Sequence, residues 1–406
     1  MISILFEGWR LLQHSYGNVL AFLLVHLWKQ YGPNKTNEII FYVRECSYCD
    51  INWKNKQKLT YSKEYNQILK NLKPYNGEKV DIIYRQTYPY NLEPPQTPTP
   101  VPVCVFYTSE FAVLNNSYFH HDPKQDIKNY LIKNQNFYFT APSEWSSRGM
   151  TGYLDDKKRN QIISHGVETS IFYRNSNDSI RRQIRRKYNV LDNEILLINI
   201  GAMTMNKGIF LILEALHHLV IIQKLPFKLL LKGMTDLYKS REFVDAYINH
   251  LGYNKTTLKS HIIFIDGTLN YSEINNLFNS ADLYISPYLA EGFGLTMLEA
   301  LASGLRVLVP MTGSASDYID PIYKNGGESY IYYVDSVVIQ DDSGLYKNQI
   351  YTQDIINILS KNINNIKEVL DDKTYLQMKK YIKKNYSWYK VSTDLYNYFM
   401  DIIVQI

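Results

Sequence analysis

The sequence predicts an α/β protein made of two doubly wound parallel sheets. Short apolar runs alternate with amphipathic helical stretches from end to end. The alternation is too long for one such sheet, and a cluster of Asn, Ser and Asp at Phe172–Asp178 interrupts it near the middle. The first-half strand runs are Ile2–Phe6, Glu38–Val43, Val80–Tyr84, Val101–Tyr107, Asn136–Phe139 and Gln161–Ser164, with helical stretches at Asn18–Gln30 and Tyr61–Leu72. The second half gives Ile195–Ile200, Phe227–Leu231, Ile262–Ile265, Leu283–Ser286 and Arg306–Val309, with helices at Gly208–Ile222 and Leu295–Ala302. Strand, helix and strand in succession require parallel sheets, because a crossover returns the chain to the same sheet edge. The predicted domains are 1–175 and 176–387, followed by an aromatic-rich helix over 388–406 that must pack on something.

Composition narrows the function. The 406 residues are 45% hydrophobic and carry a formal net charge of +5, which does not call for nucleic acid as a partner. The three cysteines, Cys46, Cys49 and Cys104, are too few for a disulfide framework. Cys46 and Cys49 form a C-x-x-C with no second pair to complete a zinc site, so they read as structural. The longest apolar stretch, Val19–Trp28, spans about ten residues against the roughly twenty of a membrane helix. The reading is a soluble, cytoplasmic protein, with peripheral membrane contact left open. Pro89 to Pro102 is proline-rich and is either a stiff surface loop or the lip of a binding site. The basic run Arg181, Arg182, Arg185, Arg186 and Lys187 reads as a solvated helix face, with phosphate or anionic lipid as the alternative.

The chemistry concentrates between Ser286 and Gly304. A buried strand ends at Ser286-Pro287. A loop with Gly292 and Gly294 follows, then a helix with Leu295, Leu298 and Leu301 on its apolar face, stopped by Gly304. Glycines at a helix start let ligand atoms approach bare backbone N–H groups, and that end of the helix favours anions such as a diphosphate. Glu291 enters the loop and Glu299 lies in the helix. Two carboxylates flanking a phosphate-binding helix start suit a ligand with hydroxyl-rich ends and an anionic middle, and a nucleotide sugar is such a ligand.

This segment resembles the glutamate, seven residues, glutamate motif of the retaining family-four glycosyltransferases. Other phrases resemble the same family in the same order. They are Ile198-Asn199-Ile200-Gly201, Lys207-Gly208, the first-domain ending Ile163-Ser164-His165-Gly166-Val167, Thr140-Ala141-Pro142-Ser143-Glu144, and Arg85-Gln86-Thr87-Tyr88-Pro89 with Phe106-Tyr107-Thr108-Ser109-Glu110. The resemblance implies the GT-B architecture, two Rossmann-like domains facing across a cleft with the C-terminal helix crossing back to the first. It implies transfer from a nucleotide-diphosphate sugar, UDP- or GDP-linked, to a glycan, lipid-linked or other acceptor, with retention at the anomeric carbon and no metal or other cofactor. Glu291, Lys207 and Glu110 are then the candidate catalytic residues. Gly201, Lys207, Lys232, Glu291, Gly292, Phe293, Gly294, Leu295, Thr296 and Glu299 are the donor-binding candidates, with Glu299 on the ribose hydroxyls. His14, Gly17 and Arg85 lie on the acceptor side.

Two places depart from the family: His165 stands where an Asn usually precedes the Gly, and the second departure bears on donor binding. An Arg usual beside the Lys is missing from Gly201-Ala202-Met203-Thr204-Met205-Asn206-Lys207. Lys232, after the strand Phe227–Leu231, is the expected replacement. The loss keeps open a degenerate sugar- or nucleotide-binding scaffold of the same fold. A dinucleotide oxidoreductase would need a third glycine where Met297 stands.

Overall fold

The computed structural model describes residues 1–12, 14–33, 35–47, 61–121, 125–154, 156–252, 255–368 and 371–404; Cys49, and with it the C-x-x-C, lies outside them. The chain divides into two compact units. The first comprises Met1–Gly166 and Asn385–Ile406, and the second Val167–Lys384.

The first unit is built on a seven-stranded sheet ordered β3-β2-β1-β4-β6-β8-β9. Its strands are β1 (Ile2–Gly8), β2 (Ile39–Glu45), β3 (Lys73–Pro74), β4 (Ile82–Gln86), β6 (Val103–Phe106), β8 (Phe137–Ala141) and β9 (Asn160–Ile162), and every pairing is parallel. Two short strands, β5 (Tyr90–Asn91) and β7 (Phe119–His120), pair apart from it and tie down the start of the proline-rich loop. Central strands covered on both faces read as continuous apolar runs. Hence Leu5, Ile83, Val103, Val105 and Phe139 are all buried in one core cluster.

Helix α1 (Ser15–Tyr31) buries Val19 to Val25 and Leu27. The last helix of the chain packs against it: Phe22 stacks on Trp388 with centroids 5.4 Å apart, and Tyr31 stacks on Tyr396 at 4.0 Å. Gly166 lies against Trp388 so closely that an added Cβ would come within 2.8 Å of the indole.

The second unit is a six-stranded parallel sheet ordered β12-β11-β10-β13-β14-β15. Its strands are β10 (Ile195–Ile200), β11 (Phe227–Lys232), β12 (Ile262–Ile265), β13 (Leu283–Ile285), β14 (Arg306–Pro310) and β15 (Ile331–Val334), followed by the hairpin β16 (Val337–Gln340) and β17 (Tyr346–Gln349). The sixth strand is not among the sequence-predicted runs. Ile331-Tyr332-Tyr333-Val334 is a sheet edge whose two tyrosines are half-buried, so it shows no uninterrupted apolar run. Among the described residues no helix is long and apolar enough to cross a membrane.

The basic run needs correction. It lies on α2 (Asp178–Lys187), but two of its arginines face the protein. Arg185, 5% exposed, and Arg181 both bind the buried Asp282, at 3.1 and 2.5 Å. Asp282 also accepts the Leu196 N–H at 2.7 Å, so this network ties α2 to the entries of β10 and β13. Arg182, Arg186 and Lys187 keep the solvated position. Spacing along a helix distributes residues over its faces, and it does not say which face carries a buried partner.

Candidate active site

Both sheets place their first strand beside the second on one flank and the fourth on the other. A crevice opens outside the carboxyl ends of the two strands where that order reverses, and open α/β sheets bind ligands there. In the second unit the flanking strands are β10 and β13.

The loop after β10 turns through a short 3₁₀ segment, Met205–Lys207, into α3 (Ile209–His217). Gly208 at this junction has φ +68°, and a Cβ there would stand 2.0 Å from the Pro287 carbonyl oxygen. Only glycine allows that left-handed turn to press on the loop after β13. The two loops are then stitched together. Leu289 and Ala290 donate their N–H groups to the Asn206 carbonyl, at 2.8 and 3.0 Å, and the Asn206 side chain donates to the Ala290 carbonyl at 3.2 Å. The result brings Lys207 Nζ within 3.0 Å of Glu291 Oε2, across 84 residues of chain. Both side chains are about four-fifths covered, with side-chain exposures of 20% and 21%.

Glu291 Oε1 accepts the Gly292 N–H at 3.1 Å, which aims the carboxylate back over the start of α4 (Leu295–Ala302). Gly294 caps that helix at φ +89°, where an added Cβ would stand 1.9 Å from Met297 Cε. The first N–H groups of a helix have no partner within it. At Leu295 and Thr296 such groups stand at the helix start beside Gly294. Glu299 lies further along the same helix and is half-buried. Among the described residues no side chain donates to its carboxylate, and burial pushes its pKa up to about 8. A carboxyl held this way is poised to accept hydroxyl hydrogen bonds, which would restore the ionised form.

Tyrosines fix the site from below. Tyr284 donates to or accepts from Thr296 Oγ1 at 2.7 Å and donates to the Ile200 carbonyl at 3.2 Å, linking the helix start to the end of β10. Tyr318 donates to the Gly294 carbonyl at 2.9 Å, and its ring packs on Phe293 with centroids 4.8 Å apart. Asn348, on β17 and 1% exposed, donates to the Tyr288 and Thr312 carbonyls at 3.2 and 3.0 Å. Sequence reading missed these supports. The abundance of tyrosine was visible, but nothing local marked which tyrosines stand under the site.

Gly201 is exposed at the end of β10, its N–H bonded to the Lys232 carbonyl at 3.1 Å. The Lys232 side chain goes elsewhere. It is 6% exposed, and its ammonium donates to the carbonyls of Gly233 and Gly267. Gly267 follows β12, on the far side of β11 from β10, so this cation points away from the loops where Lys207 meets Glu291. Burial lowers the Lys232 pKa to about 8, and the nearby Asp266 carboxylate offsets part of that.

The remaining candidates belong to the first unit. His14 caps α1, its Nδ1 accepting the Tyr16 N–H at 3.3 Å. Burial lowers its pKa to about 4, so near neutrality the ring is uncharged and carries its proton on Nε2. Gly17 lets the loop before α1 close on the helix, since a Cβ would stand 2.2 Å from the Leu12 carbonyl oxygen. Arg85 is 4% exposed and occupied: Nε binds Glu7 at 2.6 Å, and Nη1 donates to the carbonyls of Asn91 and Glu93. Its geometry is that of a brace for the chain after β4. Glu110 is half-buried after β6, and its carbonyl accepts the Trp145 indole N–H at 2.7 Å.

Residues 180–326 match the family model described as glycosyl transferases group 1. An uncharacterized glycosyltransferase of Methanocaldococcus jannaschii is 26% identical over 184 residues, 44% of this chain and 44% of that protein. A lipopolysaccharide 1,2-N-acetylglucosaminetransferase of Salmonella typhimurium is 26% identical over 159 residues, 39% of this chain and 40% of that protein. The matched stretch thus spans less than half the length of these curated relatives. The fold is shared more widely. A glycosyltransferase from Rickettsia africae superposes with a TM-score of 0.66 at 14% identity, covering 99% of this chain and 98% of its own. Anabaena HepE in complex with UDP-glucose does so with a TM-score of 0.61 at 12% identity, covering both chains in full.

Proposed function

We propose that this chain, a GT-B protein with a glycosyl transferases group 1 domain at residues 180–326, moves a sugar from a nucleoside-diphosphate donor to a hydroxyl acceptor with retention at the anomeric carbon. The observation that carries the reading is the meeting of Lys207 and Glu291 at 3.0 Å beside the Gly294 start of α4. The diphosphate binds at Lys207 and the helix N-terminus, Glu299 accepts the ribose hydroxyls, and Glu291 takes a hydroxyl of the donor sugar. The acceptor oxygen forms its bond to the anomeric carbon as the bond to the diphosphate breaks. The electron pair leaves with the nucleoside diphosphate, and the acceptor proton passes to a phosphate oxygen. Lys207 and the amides of Leu295 and Thr296 stabilise the charge that grows on that oxygen. The relatives' names support this reading: one is a lipopolysaccharide N-acetylglucosaminetransferase, and one neighbour was solved with UDP-glucose. The step needs no metal, and the protein works in the cytoplasm, peripherally at a membrane where the acceptor is lipid-linked.

The test is calorimetric titration with UDP, GDP and their sugars, followed by single-turnover transfer or hydrolysis of the donor that binds. Binding with release of the sugar supports the proposal. A second reading, a sugar- or nucleotide-binding scaffold, draws on the Lys232 ammonium being held by Gly233 and Gly267 rather than replacing the missing Arg. Tight donor binding without transfer or hydrolysis establishes that reading instead, and no binding of either nucleotide defeats both.

A further inference from the structure

The two peptide groups that lead into Glu291, Tyr288–Leu289 and Leu289–Ala290, are each held from both sides. Their N–H groups donate to the Asn206 carbonyl at 2.8 and 3.0 Å. Their carbonyls point the opposite way, as in any trans peptide, and both meet Asn348. The Tyr288 carbonyl accepts from Asn348 Nδ2 at 3.2 Å, and the Leu289 carbonyl accepts the Asn348 backbone N–H at 2.7 Å. A planar peptide held at its oxygen and at its hydrogen cannot turn without breaking one of the two bonds.

Asn348 is itself fixed. Its Oδ1 accepts the Thr312 hydroxyl at 2.8 Å, and Nδ2 also donates to the Thr312 carbonyl at 3.0 Å, so the amide oxygen and both amide hydrogens are used. Gly313, at φ +103°, leaves room for this approach, since an added Cβ would stand 3.0 Å from Asn348 Nδ2. Asn348 is the one buried residue of the two hairpin strands β16 and β17. The turn between those strands is stiffened by Asp341, whose carboxylate accepts the N–H groups of Ser343 and Leu345 at 3.0 and 3.1 Å and the Lys347 ammonium at 3.2 Å. A buried amide costs free energy unless it is bonded, and an apolar residue would serve the packing of the hairpin as well. What the amide adds is a set of directed bonds to the loop that carries Glu291.

We propose that Asn348 is a positioning residue: acting through Tyr288–Ala290, it sets the Glu291 carboxylate opposite Lys207, where it meets the donor sugar. This rests on the transferase reading and deepens it. The nucleoside diphosphate is held by Lys207 and the helix start, so its affinity does not depend on this placement. The experiment compares wild type, Asn348→Ala, Thr312→Val and Val338→Ala in the full chain. Val338 pairs with Asn348 across the hairpin and is 39% exposed, so its variant loosens the hairpin and leaves the amide bonds in place. Hydrogen exchange over residues 288–291, read by mass spectrometry, needs no donor. Asn348→Ala speeds it about tenfold more than Val338→Ala does. In calorimetry Asn348→Ala weakens UDP-glucose or GDP-mannose, whichever the wild type binds, about tenfold, and leaves the Kd of the free diphosphate unchanged. Single-turnover transfer slows about a hundredfold. Thr312→Val moves the same readouts the same way by less, and decides the matter should Asn348→Ala fail to fold. Exchange no faster than in Val338→Ala, or equal weakening of the nucleoside diphosphate and its sugar, overturns the proposal. If the wild type binds no nucleotide, or never transfers, the transferase reading fails, and faster exchange still establishes the hold of Asn348 on this loop.

Discussion

The two sheets are wound in the same order, so the comparison falls on what stands at their switch points. Beside β10 and β13 are glycines at positive φ, a lysine, two carboxylates and a helix start. Beside β1 and β4 are Trp9, Tyr16, Tyr88 and Tyr90, with Arg85 folded inward onto Glu7 and Arg10 held by Glu45. The winding supplies a crevice in each case and leaves its chemistry open. Bare amides and a cation suit an anion. Braced rings offer an apolar face instead.

Arg85 tests the first side of this comparison hardest. If it is a brace, Arg85→Ala should lower stability in urea unfolding. About 3–5 kcal/mol is the scale for stripping one partner from a buried pair. Arg44 holds the same Glu7 carboxylate at 2.7 Å, so the lower end is expected. Undiminished stability with lost acceptor binding would move Arg85 from the frame into the site.

On the other side, Lys207→Ala should slow single-turnover transfer about a hundred- to a thousand-fold, roughly 2.7–4 kcal/mol, with a smaller effect on donor affinity. Charge on the leaving phosphate grows as the bond breaks, so the loss belongs to the rate. Lys232→Ala should slow transfer far less, because its ammonium faces Gly267. Equal losses from the two lysines would mean that the Lys232 side chain swings over to the diphosphate when the donor binds.

Glu299→Gln sharpens the comparison further. Donor affinity should fall by about 1.5–3 kcal/mol at pH 8, read by calorimetry. In the wild type the affinity should rise between pH 6 and 8, since donated hydroxyls favour the ionised carboxylate, and then level off. The variant should show no such slope.

The unliganded protein offers a separate test of the same carboxyl. The folded carboxyl of Glu299 titrates near 8 and the unfolded one near its ordinary value, about 4.3. Its contribution to stability is thus fully present below that ordinary value and is lost as pH rises through 8. Glu299→Gln should raise the thermal midpoint at pH 8.5 and leave it unchanged at pH 4. A midpoint shift that does not depend on pH would mean that burial does not raise the Glu299 pKa.

Much of the fold was legible in advance because parallel strands buried on both faces must be apolar throughout. Each of β1, β2, β4, β6 and β8 overlaps such a run. The strand β15 was not legible, since an edge strand is covered on fewer sides and tolerates Tyr332 and Tyr333 half-exposed. In the site, Lys207, Glu291, Gly294 and Glu299 stood out because glycines and charges at a strand-to-helix turn have few other uses. Asn206 and Asn348 did not, because an asparagine in a loop or a hairpin strand has many.

The sequence by itself determined the parallel α/β class, the helix start at Gly294 and the types of group offered to an anion, because these follow from local periodicity and from what glycine and carboxylates can do. Only the tertiary structure decided which charges are available. Arg85, Arg181 and Arg185 are taken up by Glu7 and Asp282, Lys232 is drawn toward Gly267, and Lys207 is brought to Glu291. Those pairings join residues tens to more than a hundred positions apart. The free energy of a buried charge depends on the partner that the fold places beside it, and no spacing along the chain carries that information.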